Sequence, residues 1–126
     1  MATSAFPNLL LLNGPNTVAP WASIISGIEL QALYNVRVVR EIKARSFDGK
    51  RFALMPKPEA EVEYTETLQA ELETLATSTK FGERYYYLSA KGRNTFFYSF
   101  TQTYYRNLIK RIDWDKYTVI EHAVRQ

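Results

Sequence analysis

Apolar and polar residues alternate along several stretches of the chain, and this alternation predicts most of its elements. Between residues 36 and 45 one set of alternate positions is mostly apolar and the other is mostly charged, which predicts a half-exposed strand over about 28–44. Asp48-Gly49 then supplies a hairpin signal. The same pattern predicts further strands at 51–55, 84–90, 95–105 and 117–124, with a second hairpin turn at 91–94.

Helical spacing is clearest after Pro58, where apolar residues recur every three or four positions as Tyr64, Leu68, Leu72 and Leu75. Proline suits the first turn of a helix, and the glutamates that follow it favour the positive end of the helix dipole. We therefore predict a helix over 59–79. The expected fold class is α+β: an antiparallel sheet of about five strands in two hairpins, covered by this one amphipathic helix. From residue 106 onward, helix remains an alternative to strand.

The first 28 residues contain no charged side chain and include three prolines. They lack the positive start of a signal peptide, and the prolines interrupt any membrane helix. We predict an extended apolar arm over 1–27, followed by a single domain over 28–126. Leaving its leucines, isoleucines and tryptophan in water would forgo on the order of 10 kcal/mol. The arm should therefore dock, either on its own chain or on a neighbour.

Charge is distributed in blocks behind a net charge of +3. Residues 37–57 carry a charge of +5, residues 58–79 carry −6 and residues 80–126 carry +5. Such alternation favours self-complementary surfaces over one large basic surface.

We expect contacts between copies to be made by the arm and by aromatic residues, namely Phe6, Leu9, Leu10, Leu11, Leu12, Trp21, Tyr98, Tyr104, Tyr105 and Trp114.

Little in the sequence points to catalysis. The chain has no cysteine and one histidine, His122, and its glycines do not form a phosphate-binding loop. A hydrolase would need Asp113, Asp115 and His122 to converge, although Asp-x-Asp is more typical of a turn. We therefore expect no enzyme activity, no catalytic residues, no cofactor and no metal site.

Two functions follow from these features. The first is a structural subunit of a large symmetric assembly, most concretely a component of a phage or virus particle in the capsid, neck or tail. Its partners would be copies of itself and neighbouring assembly proteins, with no membrane, and it would be found in the virion or the cytoplasm. The alternative is a small nucleic-acid-binding protein that uses a basic and aromatic sheet face, with the residues Arg84, Tyr85, Tyr87, Lys91, Arg93, Tyr98, Lys110 and Arg111.

Overall fold

The computed structural model describes residues 2–19, 21–46, 50–75, 89 and 92–123. The elements found there are helix α1 (Ile24–Arg45), strand β1 (Lys50–Pro56), helix α2 (Pro58–Leu72), helix α3 (Gln102–Leu108), a short 3₁₀ helix (Trp114–Lys116) and strand β2 (Tyr117–Ala123). The described part of the chain is a mixture of helix and strand in which helix dominates.

Helix α1 occupies the stretch for which alternation predicted a strand over 28–44, and that prediction is wrong. The side chain of Ser23 caps the first turn of the helix. The residues that α1 buries are Gln31, Tyr34 and Val38, which lie three and four positions apart, as the period of a helix requires. Burial therefore follows a period of about 3.6 residues, although polarity along the sequence follows a period of two.

The sheet formed by the described residues has two antiparallel strands, β1 and β2, with Phe52 paired to Glu121. The strand predicted at 51–55 is confirmed. The strand predicted at 117–124 is confirmed for Tyr117–Ala123. The expected sheet of about five strands in two hairpins is wrong. Because 28–44 is helical, no strand among the described residues precedes β1 to form the first hairpin, and β1 pairs with β2 instead.

The stretch 95–105 is also not a strand of this sheet. The side-chain oxygen of Asn94 accepts hydrogen bonds from the backbone N–H groups of Phe96 and Phe97, each at 3.0 Å. Such local bonding competes with pairing between strands. Thr101 then accepts a hydrogen bond at the start of α3, so the aromatic residues that follow it are helical.

The predicted helix over 59–79 is confirmed as α2, which begins at Pro58 and ends at Leu72. Proline occupies the first turn and acidic residues follow it, as expected. Leu68 and Leu72 are buried on the inner face of α2. After residue 72 the backbone forms a turn, so the helix is shorter than its apolar spacing suggests.

Three further predictions lie partly or wholly outside the described residues. Of the strand predicted at 84–90, only Ser89 is described. The last residues of the predicted helix, 76–79, and the Asp48-Gly49 turn are outside the described residues.

The N-terminal segment packs on its own chain. The side-chain amide of Asn16 donates to the carbonyl oxygens of Asn94 and Phe97, each at 2.8 Å. The backbone N–H of Tyr98 donates to the carbonyl oxygen of Val18 at 2.8 Å. These contacts join positions about eighty residues apart, so docking of the segment in cis is part of the fold.

A second anchor holds this segment against β1. The backbone N–H of Asn8 donates to the carbonyl oxygen of Leu54 at 2.9 Å, and the side-chain oxygen of Asn8 accepts from the Leu54 N–H at 2.8 Å. Asn8 adopts a positive φ of 59°, a conformation that asparagine tolerates better than most residues. The segment therefore satisfies backbone groups of β1 that β2 does not pair.

The core joins all of these elements. Its buried members are Tyr34, Val38, Phe52, Leu54, Leu68, Leu72, Phe97, Tyr98, Tyr105 and Ile109. Three of these buried residues are tyrosines, namely Tyr34, Tyr98 and Tyr105. Tyr34 and Tyr105 also line a cavity.

Glu61 on α2 provides a pH-dependent anchor for the N-terminal segment. Its carboxylate accepts hydrogen bonds from the Ser4 N–H at 2.7 Å and from the Thr3 hydroxyl at 3.2 Å. The bonds from Ser4, with a smaller contribution from Thr3, hold the pKa of Glu61 below its usual value. The stabilisation from this ionised group is complete above about pH 4.3, the usual pKa of glutamate, and is lost as the pH falls through the lower folded value.

We expect acidification to release Ser4 before the rest of the fold is lost. Amide hydrogen exchange or the NMR shift of the Ser4 N–H checks this. In Glu61→Gln the Ser4 signal should no longer follow the pH in the acid range. Glu59→Gln, an exposed change in the same turn, should leave the transition in place. A transition that persists unchanged in Glu61→Gln would contradict the assignment.

Candidate functional site

Four tyrosines surround a cavity of about 200 Å³ where α1, α2, α3 and β2 meet. They are Tyr34 on α1, Tyr64 on α2, Tyr105 on α3 and Tyr117 at the start of β2. The N-terminal segment contributes Pro15 and Thr17, and Leu108 and Ile109 add apolar surface. Because every wall comes from a different element, the fold as a whole shapes this tyrosine cavity. Concave, mostly apolar sites with a few polar groups are typical of small-molecule binding.

The hydroxyl oxygens of Tyr34 and Tyr117 lie 2.7 Å apart and share a hydrogen bond. Burial raises the pKa of both tyrosines above the usual value. The shared hydrogen bond, in which either hydroxyl can be the donor, raises the pKa of Tyr34 further and lowers that of Tyr117. The negative charge of Asp113 raises both pKa values. Both hydroxyls are therefore neutral, and able to donate, at neutral pH.

Charged side chains line the tyrosine cavity in equal numbers of each sign: Glu61 and Asp113 are acidic, and Arg111 and Lys116 are basic. The cavity therefore has no formal net charge. Its apolar walls and balanced charges suit a neutral ligand better than an ion.

A second concavity of about 980 Å³ lies beside the C-terminal half of α1. Its charged residues are Arg37, Arg40, Glu41, Lys110, Arg111, Asp113 and Asp115. Arg37 donates to the carbonyl oxygen of Ile109 at 2.8 Å, which ties α1 to the end of α3. The guanidinium of Arg45 lies 4.1 Å from the ring centroid of Trp114, a cation–π contact. Both signs of charge occur along this groove, which is more typical of a polar protein surface than of an anion site.

The predicted contact residues differ in their exposure. Tyr98 and Tyr105 lie in the core with ring centroids 5.0 Å apart, so their side chains contact the chain's own interior. Leu10, Leu11 and Trp114 are half-buried. The predicted contact residues that remain exposed are Phe6, Leu9, Leu12, Trp21 and Tyr104.

The residues expected to bind nucleic acid are brought together only in part. Lys110 and Arg111 share the groove beside α1, whereas Arg93 lines a separate hollow beside α2. Tyr98 is buried, so its ring is not available to stack on a base. Arg84, Tyr85, Tyr87 and Lys91 lie outside the described residues. Nucleic-acid binding stays a prediction, and a steep loss of affinity with rising salt is its signature.

The three residues required for a hydrolase do not converge. Asp113 and Asp115 line the groove beside α1. His122 is exposed and pairs with Arg51 towards the far end of β2. Tyr117 and His122 are five positions apart, which in a strand separates them by about 16 Å.

Neither a cluster of metal ligands nor a membrane-spanning helix is present among the described residues. No three acidic or histidine side chains among them lie close enough to share a metal ion. None of the helices in this part of the chain is both long enough and apolar enough to cross a membrane.

Sequence reasoning did not find the hydrogen-bonded pair of Tyr34 and Tyr117. The spacing of Gln31, Tyr34 and Val38 would have placed Tyr34 on an inner helix face if 28–44 had been interpreted as helix. Nothing in the sequence pairs Tyr34 with a residue 83 positions away.

Comparison with known proteins gives one informative match. Over 123 residues, 98% of this chain, the sequence is 32% identical to a Baeyer–Villiger monooxygenase of Streptomyces coelicolor. The chain spans only 23% of that enzyme. No family model matches the chain, and no solved structure matches it. The chain is thus similar to a segment of an enzyme, and the expectation of a protein without enzymatic function gains no support from this relative.

Proposed function

We propose that this chain is a module of a Baeyer–Villiger-type monooxygenase and that it works by docking on the rest of such an enzyme. The similarity extends along nearly all of the chain but covers about a quarter of the relative, which favours a part over a complete catalyst. The chain also lacks the glycine-rich phosphate-binding loops of dinucleotide enzymes. We therefore assign the redox chemistry to the remaining three quarters of the enzyme.

The observation that carries the docking proposal is a second apolar side on α1. Ile25, Ala32, Val36 and Val39 are seven, four and three positions apart, so they share one side of the helix, opposite the buried Val38. Ile25 is 71% exposed and Val39 is 52% exposed. Exposed apolar side chains on the side of a helix that faces away from its own core are typical of a protein–protein contact.

Neighbouring residues extend this surface. Trp21 is exposed just before α1 begins. We define the outer apolar surface as Trp21, Ile25, Val36 and Val39. Burial of each large apolar side chain contributes about 1.5–3 kcal/mol, so covering this surface would strongly favour association.

A reconstitution experiment tests the proposal. The Streptomyces coelicolor enzyme without its matching segment is mixed or co-expressed with this chain, and a one-to-one complex is sought by native mass spectrometry. We expect Val39→Glu to weaken the complex at least tenfold, because it places a charge on the buried surface. Val62→Glu, which changes an equally exposed valine on α2 (54%), should have no effect.

Two results would contradict the docking proposal. One is the absence of a complex in the co-expressed sample when circular dichroism shows both pieces to be folded. The other is equal loss of binding in Val39→Glu and Val62→Glu. Recovery of monooxygenase activity on mixing would be the strongest support.

A subunit of a symmetric assembly is the second proposal, and the same side of α1 favours it. Spacings of seven, four and three residues also occur where two helices pack along a seam, so a second copy of α1 could cover the first. A closed oligomer, with a native mass that is a fixed multiple of 14.6 kDa, would support this proposal over the first. Neither the fold nor the comparison bears on the narrower prediction of a phage or virus particle.

A further inference from the structure

The outer side of α1 carries a repeat that includes charged as well as apolar residues. Six side chains recur at alternating spacings of four and three positions and so lie along one side of the helix, which we call the α1 seam: Ile25, Glu29, Ala32, Val36, Val39 and Lys43. Such spacing is typical of a helix that pairs with a second helix. The α1 seam lies opposite the buried Val38, so it faces away from the chain's own core.

The charges on this side of α1 are separated along the helix. Glu29 lies in the first half of α1, whereas Arg40 and Lys43 lie in the second half. All three side chains are exposed, and none of them forms an ion pair with a described residue. A surface that is negative at one end and positive at the other is complementary to a copy of itself that runs in the opposite direction.

An antiparallel pairing brings these opposite charges together. In the register that sets Ala32 of one copy against Val36 of the second copy, the apolar residues in the middle of both seams face each other. Glu29 then lies within one residue, about 1.5 Å along the helix axis, of Arg40 of the second copy. Glu29 and Arg40 are about three helical turns apart, so they lie on the same flank of α1 and meet across the pair. The two-fold axis repeats this contact at the other end.

A parallel pairing of the same seam has the opposite result. It sets Glu29 against Glu29 and Lys43 against Lys43, where like charges repel. Polar residues within a paired seam specify its orientation at a cost in stability. The charges of the α1 seam therefore favour the antiparallel orientation.

We infer that two copies of this chain pair through α1 in antiparallel orientation, with an ion pair between Glu29 and Arg40 of the second copy at each end. The inference rests on the second proposal above, since it identifies the contact by which copies associate. The pairing covers the outer apolar surface of α1. A second copy and the remainder of a monooxygenase therefore compete for this surface.

Analytical ultracentrifugation of the full chain tests the pairing, with a dimer of twice 14.6 kDa as the expected result. At low salt, Glu29→Lys and Arg40→Glu should each weaken the dimer at least about tenfold, because each sets like charges side by side at both ends. The double variant exchanges the two charges and should restore the dimer. Glu63→Lys, at an exposed glutamate on α2, makes the same change in net charge and should have no effect.

Cysteine cross-linking tests the orientation. The chain has no cysteine of its own, so Ala32→Cys and Val36→Cys each introduce a single thiol. When the two variants are mixed and oxidised, an antiparallel pair should give mainly the disulfide that joins one variant to the other. A parallel pair would join each variant to itself, and intact mass distinguishes the products.

Three results would overturn the inference. They are a wild-type chain that is folded by circular dichroism but monomeric at every concentration, a double variant that dimerises as weakly as the single variants, and disulfides that join each cysteine variant to itself. The wild-type mass alone decides the first, so the test does not depend on the folding of any variant. Docking on a monooxygenase is measured with the truncated enzyme present, so it can hold when pairing fails, and the reverse.

Discussion

Replacing Leu33 by proline is expected to lower the free energy of unfolding by about 3 kcal/mol or more. Leu33 lies in the middle of α1 and is 55% exposed, so the substitution removes little buried surface. Its effect comes from the backbone, because proline removes a helical hydrogen bond and its ring clashes with the preceding turn. Urea denaturation followed by circular dichroism measures the loss.

Leu33→Ala is the matched control, since it removes the same side chain and keeps the backbone N–H. It should change the stability by no more than about 0.5 kcal/mol, as surface substitutions usually do. An edge strand with its N–H facing solvent would tolerate proline at this position. Equal stability of the two variants would therefore show that 28–44 is not the helix described above.

The sequence of α1 predicts a strand because the helix has apolar residues on two sides. Val36 and Val39 belong to the outer apolar surface, whereas Val38 belongs to the core. With apolar residues on both sides, the helical period is hidden in the sequence, and the charged residues that fill the remaining positions produce an apparent period of two. Sequence patterns reveal a helix best when only one side is apolar.

The sequence predicts an element correctly where neighbouring residues alone determine its structure. Pro58 and the acidic residues after it define the start of α2 without reference to the rest of the chain. The alternation after Tyr117 correctly indicated a strand because one side of β2 faces solvent. In contrast, the hydrogen bonds of Asn94 to the backbone of Phe96 and Phe97 override the strand preference of an aromatic stretch.

The tyrosine cavity depends on contacts that no sequence pattern records. Its hydrogen-bonded pair joins Tyr34 of a helix interpreted as a strand to Tyr117, 83 positions further along the chain. The sequence predicts Tyr98 and Tyr105 as contact residues because tyrosine is common at interfaces. The structure places them in the core instead, where burial changes their acid–base behaviour.

The fold is expected to unfold cooperatively in alkali because of these tyrosines. Burial raises the pKa values of Tyr34, Tyr98 and Tyr105 well above the usual value of about 10. Their folded state therefore resists ionisation, and the stability that depends on neutral hydroxyls is complete below about pH 10. Above that pH the unfolded chain ionises first and is favoured, so stability falls as the pH rises. Tyrosinate absorbance and circular dichroism, recorded during one titration, should change together.

The variant Tyr98→Phe separates this mechanism from a general effect of alkali. The hydroxyl of Tyr98 is buried and has no hydrogen-bond partner among the described residues, and an unsatisfied buried hydroxyl costs about 1–3 kcal/mol. We expect its removal to stabilise the chain at neutral pH and to move the alkaline midpoint upward. Tyr34→Phe also removes an ionisable group, but it breaks the 2.7 Å hydrogen bond to Tyr117, so it should destabilise the chain at neutral pH. If Tyr98→Phe unfolds at the same pH as the wild type, ionisation of buried tyrosines does not drive the transition.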